Sequence, residues 1–266
     1  MTFARPALIS LLAALLLCGA PARAQTAEGT FKPIVGQEGK DVVWVPTPPV
    51  LVEKMLDMAK VTPQDFVMDL GSGDGRNIIA AAKRGARAVG VEYNANMVEL
   101  STRTAQEEGV GDRAKFIQGD MYEADISQAT VLALFLLPEN LRRLTPKFLE
   151  LKPGTRIVAN HFGIDGWEAD ETGRTEGECM AWCTALLYIV PAKVAGTWKL
   201  PQGDLALEQR FQVVSGSYTS NGATVPVKNG KLKGDEIAFA IGDTEYSGRV
   251  SGDAMQGAGW TATRAK

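Results

Sequence analysis

Histidine is almost missing from this sequence: His161 is the only one in 266 residues, and cysteine occurs three times, at Cys18, Cys179 and Cys183. Tetrahedral metal sites draw several His and Cys ligands from closely spaced pairs, so none is expected here. No long run of Lys and Arg occurs either. The densest basic group, Lys83-Arg84 with Arg87, suits the exposed C-terminal end of a helix, where cations favour the macrodipole. With a formal net charge of −3, the chain is poorly equipped for RNA or DNA, whose affinity rests largely on phosphate contacts. A membrane-spanning helix is also lacking, because the apolar stretch Leu8 to Leu17 is only about half of the ~20 residues that a bilayer demands.

That stretch reads instead as an export signal. Arg5 precedes it, and Pro21-Ala22-Arg23-Ala24 supplies the small-x-small pattern of a signal-peptidase site, which predicts cleavage after Ala24 and a periplasmic or secreted mature protein. A lipid-modified Cys18 is disfavoured because Leu17 stands where a small residue is expected. Cleavage removes Arg5 and Arg23 and no acid, so the charge moves from −3 to −5. Two cysteines remain. On a strand, Cys179 and Cys183 would lie about 13 Å apart, beyond disulfide reach. Free, half-buried thiols are therefore expected, and a bridge would need a turn between them.

With 45% hydrophobic and 22% charged residues, the remainder is expected to fold as a soluble globular protein. Residues 25–40 read as a linker. From 41 to 194 strands and helices alternate, which predicts an α/β fold with a doubly wound, Rossmann-like sheet. Pro48-Pro49 opens a helix with Val52, Met55, Leu56 and Ala59 at helical spacing. Phe66 to Leu70 is the first strand, Gly71 to Gly75 a turn, and Ile78 to Lys83 a helix closed by Gly85. Further strands are expected at Ala88–Glu92, Lys115–Asp120, Thr130–Leu137 and Thr155–His161, with helices at Asn94–Glu108 and Glu139–Leu151. Residues 195–266 change texture to short strands and Gly-Asp turns, a small antiparallel β meander. Within it the unit G-x-[LV]-x-G-D occurs at Gly230 to Asp235 and again at Gly248 to Asp253.

The chemistry concentrates in the first part. A glycine turn between a strand and a helix lets backbone N–H groups approach a ligand closely. A dinucleotide fingerprint requires a third glycine where Arg76 stands, which disfavours a nicotinamide oxidoreductase. Three acids end successive strands: Asp69, Glu92 and Asp120. All fall at the carboxyl edge of a parallel sheet, where such folds bind ligands. Glu92 can accept two ribose hydroxyls, with Tyr93 against a purine. Asp120, beside the Met121 backbone, can accept an exocyclic amine. Asp69 or Asp74, with the Gly71 and Gly73 backbone and Ser72 inside the turn, suits an ammonium-bearing group.

The segment Val45-Pro46-Thr47-Pro48, the turn Asp69-Leu70-Gly71-Ser72-Gly73-Asp74-Gly75-Arg76, the strand end Gly90-Val91-Glu92-Tyr93-Asn94 and Gly119-Asp120 together resemble the class I S-adenosylmethionine-dependent methyltransferases. The closest likeness is to bacterial relatives of the mitochondrial protein-lysine methyltransferases that modify the ATP synthase c-ring protein or the adenine nucleotide translocase. It spans Trp44 to Asp170, about half the chain. The resemblance implies S-adenosylmethionine as methyl donor, a protein lysine as first choice of acceptor, and the loop Val45 to Thr47 near the methyl-transfer end. Thr47 and His161 are the candidate catalytic residues, and Trp44, Trp167 and Trp182 candidate walls of an acceptor pocket. Where many amine methyltransferases carry Asn-Pro-Pro-Tyr, this chain has Leu136-Leu137-Pro138-Glu139, which removes the usual contacts with a target nitrogen. The rival reading is an exported, non-catalytic nucleoside-binding or scaffold protein that keeps the fold.

Overall fold

Helix α1 (Pro49–Met58) begins the parallel part of the architecture, with Pro49 in its first turn and Leu51, Val52, Met55 and Leu56 buried on one face. The computed structural model describes residues 1–2, 31–175 and 179–265. The signal segment, its cleavage site after Ala24, Cys18 and the first residues of the 25–40 linker therefore lie outside the described residues. Strand β1 (Phe66–Leu70), helix α2 (Arg76–Lys83), β2 (Arg87–Glu92), α3 (Ala95–Glu107), β3 (Ala114–Gln118), β4 (Val131–Leu134), α4 (Pro138–Phe148) and β5 (Arg156–Asn160) follow, then β6 (Glu171–Arg174) and β7 (Thr184–Ile189). They form one seven-stranded sheet in the order β3-β2-β1-β4-β5-β7-β6. The first five strands are parallel, and β7 runs antiparallel to both β5 and β6.

Apolar side chains cover both faces. Val67, Ala88, Val131 and Val158 meet α1 and α2 on one side, and Met68, Leu132, Leu134 and Ile157 meet α4 on the other. This two-sided burial is why the strands read as nearly unbroken apolar runs. Two departures from the sequence reading matter for the site. No helix links β3 to β4 or β5 to β6 among the described residues, so loops at the sheet's carboxyl edge make those crossings. Strand β4 also stops at Leu134, three residues before the expected Leu137, which releases Phe135, Leu136 and Leu137 into the loop ahead of α4.

The meander expected after residue 195 closes on itself. Strands β8 (Gly196–Leu200), β9 (Gly203–Arg210), β10 (Val213–Ser220), β11 (Ala223–Lys233), β12 (Glu236–Ile241), β13 (Thr244–Ser251), β14 (Ala254–Gly257) and β15 (Trp260–Arg264) pair in sequence. The barrel is completed by β15 on β8, with Arg264 opposite Trp198. The repeated G-x-[LV]-x-G-D unit has a physical basis. A Cβ on Gly230 would lie 2.2 Å from the Val214 carbonyl oxygen, and one on Gly248 2.4 Å from that of Gln256, so glycine permits the tight coiling of the strands. Leu232 and Val250 then point into the core, and Gly234 (φ +63°) and Gly252 (φ +56°) turn the chain into the next strand. Residues Lys32–Lys266 make a single compact unit, in which the sheet and the barrel share their packing.

Candidate active site

The glycine turn after β1 is wedged tightly from every side. Gly71, Gly73 and Gly75 all have positive φ (+75°, +54° and +82°). A Cβ on Gly73 would stand 2.7 Å from the Trp44 indole nitrogen, and one on Gly75 2.6 Å from the Phe116 ring. The Gly71 and Ser72 amides donate to the Val91 carbonyl at 2.8 and 3.0 Å, and the Gly73 amide donates to Glu92 at 2.9 Å. The other oxygen of Glu92 accepts from the Asn94 amide at 2.9 Å. Asn94 in turn caps α3, accepting from the Asn96 and Met97 amides. The end of β2 thus fixes the turn and leaves the remaining lone pairs of Glu92 facing an open cleft.

That cleft is lined by Gly71, Glu92, Tyr93, Asp120, Met121 and Phe135, and is roofed by the segment from Gln37 to Val45. The roof is a short loop closed by two backbone bonds between Gly36 or Gln37 and Trp44, each 2.9 Å. Its Lys40 donates to Asp120 at 2.5 Å and lies over the Tyr93 ring, 5.3 Å from the centroid. The bond from Lys40, together with the Tyr122 amide, holds the Asp120 carboxyl below the usual range, and Asp120 raises the Lys40 ammonium in return. The 31–40 portion of the expected linker is therefore a packed part of the site.

Asp69 sits behind the turn, 3% exposed. One of its oxygens accepts from the Asn77 amide at 3.0 Å and the other has no partner. Burial pushes its carboxyl well above the usual range, and the charges of Glu92 and Asp74 add to the shift. Oxygens of Ser72, Asn77 and Asn160 are also buried without a partner. Most buried polar atoms in proteins are paired, so this cluster at the ends of β1 and β5 suits a ligand bringing hydrogen-bond donors and positive charge.

Several expected site residues lie elsewhere. Asp74 is turned away from the cleft and held by the Arg76 guanidinium, beside Pro49 and Val52 on a separate surface depression. Of the two acids expected at the ammonium-bearing group, Asp69 alone is free to serve. Thr47 is 3% exposed, its carbonyl accepting from Arg76 at 2.6 Å and its hydroxyl from Asn160 at 3.3 Å. It is a tie between the loop and the end of β5, and is not presented to a reacting atom. Trp167 is buried against the barrel, stacked on Phe211 at 5.1 Å, because the loop after β5 carries it away from the sheet's edge. Trp44 roofs the cofactor cleft over Gly73.

His161 and Trp182 do come together. Their rings meet edge to face at 5.0 Å, both residues have positive φ (+64° and +59°), and Phe162 and Phe135 complete the cluster. Left-handed backbone at bulky residues is costly and collects at functional sites. The left-handed Trp182 also turns the chain back, so Cys179 and Cys183 have Cα atoms 5.7 Å apart and form a disulfide. This corrects the expectation of free thiols, which assumed an extended strand. A second cavity of about 140 Å³ lies here, lined by Val43, Phe135, Leu136, Leu137, Phe162 and Trp182 with Val42 and Val45. It carries no charged lining residue and shares Phe135 and the roof valines with the first cleft. Sequence reading missed Lys40, Phe135, Asn77 and Asn160. The signal for the asparagines is their polarity within apolar runs, at the start of α2 and the end of β5.

Comparison with known proteins agrees with this geometry. The family described as the ANTKMT methyltransferase domain matches residues 69–171. The chain is 44% identical over 152 residues to a protein-lysine N-methyltransferase of Saccharolobus islandicus, covering 56% of this chain and 94% of that protein. It is 33% identical over 119 residues to the adenine nucleotide translocase lysine N-methyltransferase of Mus musculus, with 44% of this chain and 52% of that protein covered. An RNA methyltransferase from Salinibacter ruber, solved with S-adenosyl-L-homocysteine, is 42% identical with a TM-score of 0.53, covering 56% of this chain and 96% of that one. Fold and site define a class I S-adenosylmethionine-dependent methyltransferase, with S-adenosylmethionine as its cofactor. Within that class the chain belongs to the family of the Saccharolobus enzyme, related to the mitochondrial protein-lysine methyltransferases. It spans about half of the mouse relative's length, and the family match ends before the barrel begins.

Proposed function

We propose that this enzyme methylates the side-chain amine of a protein lysine. The observation that carries the reading is the uncharged, aromatic-walled cavity adjoining the cofactor cleft at Phe135. Its width and apolarity suit the aliphatic stem of lysine, and with no carboxylate in its lining it disfavours the ammonium form of the amine. Bound S-adenosylmethionine supplies an electrophilic methyl group on a sulfonium. A new N–C bond forms as the S–C bond breaks, and the amine's proton leaves to solvent or to His161, which borders the cavity. Phe135, Phe162 and Trp182 align the amine, and alignment supplies much of the rate.

On the cofactor side, Glu92 receives the ribose hydroxyls and Tyr93 covers the purine. Asp120, with Met121 beside it, receives the adenine amine once Lys40 is displaced. Asp69 faces the ammonium of the methionine portion, supported by the amides of Gly71 and Gly73 and by Ser72. The signal-like N-terminus adds the proposal that the mature protein works outside the cytoplasm, and a disulfide is in keeping with an oxidising compartment. Fractionating cells and sequencing the mature N-terminus tests that: an intact Met1 in a cytoplasmic fraction overturns it.

The acceptor test is a labelling experiment. The protein is incubated with methyl-labelled S-adenosylmethionine and separate protein and RNA fractions of a cell extract, and the modified residue is read by mass spectrometry. Label on a lysine side chain is the expected result. Label confined to RNA, as the name of the Salinibacter relative would suggest, overturns the reading, as does S-adenosylmethionine binding with no transfer to either fraction.

A further inference from the structure

We propose that the barrel positions the acceptor side of the active site through the hairpin turn at Phe211 and Gln212. The inference rests on the reading of the Phe162–Trp182 cavity as the acceptor site. The loop that leaves β5 contains no helix and no strand between Asn160 and Glu171, yet its first residues, His161 and Phe162, form part of the aromatic cluster at that cavity. Something beyond local structure must hold it.

Three contacts do so at its far end, and each comes from the β9–β10 turn. The Phe211 ring stacks on Trp167 with centroids 5.1 Å apart and planes 11° from parallel. Gln212, 1% exposed, donates its side-chain amide to the Glu168 carbonyl at 2.7 Å. Arg210 lies across Gly166, where a Cβ would come within 2.8 Å of the guanidinium and φ is +72°. The turn is itself anchored in the barrel, since the Leu232 amide donates to the Gln212 carbonyl at 2.7 Å. On the sheet side Tyr188 grips the same loop, packing edge-on against Trp167 at 5.4 Å and accepting from the Ile164 amide at 3.1 Å.

Phe211 has φ +53°, a conformation costly for a bulky side chain. Asparagine or glycine would make this turn more easily, and neither would reach Trp167. The backbone cost is spent on aiming a ring at the loop, which a barrel serving only its own stability would not require. Phe211 and Gln212 are thus positioning residues: they act on the acceptor through Trp167, Phe162 and His161.

The test uses the full chain carrying Phe211→Asn, which removes the ring while favouring the left-handed turn, and Phe211→Tyr, which keeps the stack. Poly-L-lysine serves as acceptor and S-adenosylhomocysteine as cofactor probe. For Phe211→Asn the expected result is about tenfold faster amide exchange across residues 161–168 and about a tenfold higher KM for poly-L-lysine, the scale of one lost aromatic pair. S-adenosylhomocysteine affinity stays within about twofold, because the glycine turn is untouched, and Phe211→Tyr matches the wild type. Unchanged exchange in the loop overturns the proposal. So does a loosened loop with unchanged KM, provided Phe162→Ala raises KM. If Phe162→Ala leaves KM unchanged, or if the wild type does not methylate poly-L-lysine, the acceptor reading fails, and loop exchange alone then decides whether the barrel holds the loop.

Discussion

The carboxyl edge of the sheet and the interior of the barrel are built on opposite terms. At the sheet edge, side-chain oxygens of Asp69, Ser72, Asn77 and Asn160 are buried with no partner, and left-handed backbone recurs at Gly71, Gly73, His161 and Trp182. Inside the barrel Trp198, Leu205, Leu232, Ile237 and Met255 close on one another, and the indole N–H of Trp198 is satisfied by the Val194 carbonyl at 2.8 Å. Unsatisfied polarity and strained backbone persist only where the rest of the fold holds them, and they mark the place where a ligand completes the structure. The barrel's filled core marks a region whose work is mechanical.

The sharpest way to break that contrast is to damage each region and ask what is lost. Trp198→Ala removes a fully buried indole and is expected to cost about 3–5 kcal/mol of stability. Chemical denaturation measures that loss, while the folded variant should bind S-adenosylhomocysteine as the wild type does. Loss of cofactor binding in the folded variant would erase the distinction. Glu92→Ala is the converse. Two hydrogen bonds from ribose to a charged acceptor are worth about 3 kcal/mol, a loss of affinity above a hundredfold, which calorimetry reads directly. Equal binding by variant and wild type would remove Glu92 from the ribose.

A third prediction turns on pH. Asp69 is held above the usual carboxylate value of 3.8, so the folded chain binds this proton more tightly than the unfolded chain. Its contribution to stability is complete below the unfolded value and is lost as pH rises through the folded one. Asp69→Asn should abolish that slope and stabilise the cofactor-free protein at neutral pH. A cationic ligand favours the ionised form, so S-adenosylmethionine binding to the wild type should release a proton and tighten as pH rises, and the variant should bind weakly with no such slope. Calorimetry in buffers of different ionisation enthalpy counts the proton. No proton release would place the ammonium away from Asp69.

What can be read from the sequence follows the range of the interactions. The glycine turn, the acids at the ends of β1 and β2 and the Asn94 cap depend on residues within a few positions, and their types announce them. The Gly-Asp turns of the barrel are equally visible, but its closure by β15 on β8 joins strands some 60 residues apart and leaves no local mark. Asp74 shows how a local pair can still mislead. In the sequence Arg76 reads as a missing glycine, whereas in the fold its guanidinium reaches back two positions and takes the carboxylate. The Cys179–Cys183 bridge depends on one left-handed residue, Trp182, a backbone state that side-chain type does not predict. Trp167 suits an acceptor pocket on sequence grounds because aromatic residues near a sheet edge often line one, and only its contact with Phe211 assigns it to the barrel.

The smallest expected effect concerns the roof, the one part of the site fastened by an exposed ion pair. Lys40 engages the same Asp120 carboxylate that is proposed to receive the adenine amine, so the cofactor must compete with it. Exposed pairs are weak and screened by salt. Raising ionic strength should therefore tighten S-adenosylhomocysteine binding to the wild type, by no more than about fivefold. Lys40→Ala should bind tightly at low salt and respond little when salt is added. A Lys40→Ala variant that binds more weakly would mean that the ammonium over Tyr93 holds the roof on the cofactor, and the adenine amine would then have to find a partner other than Asp120.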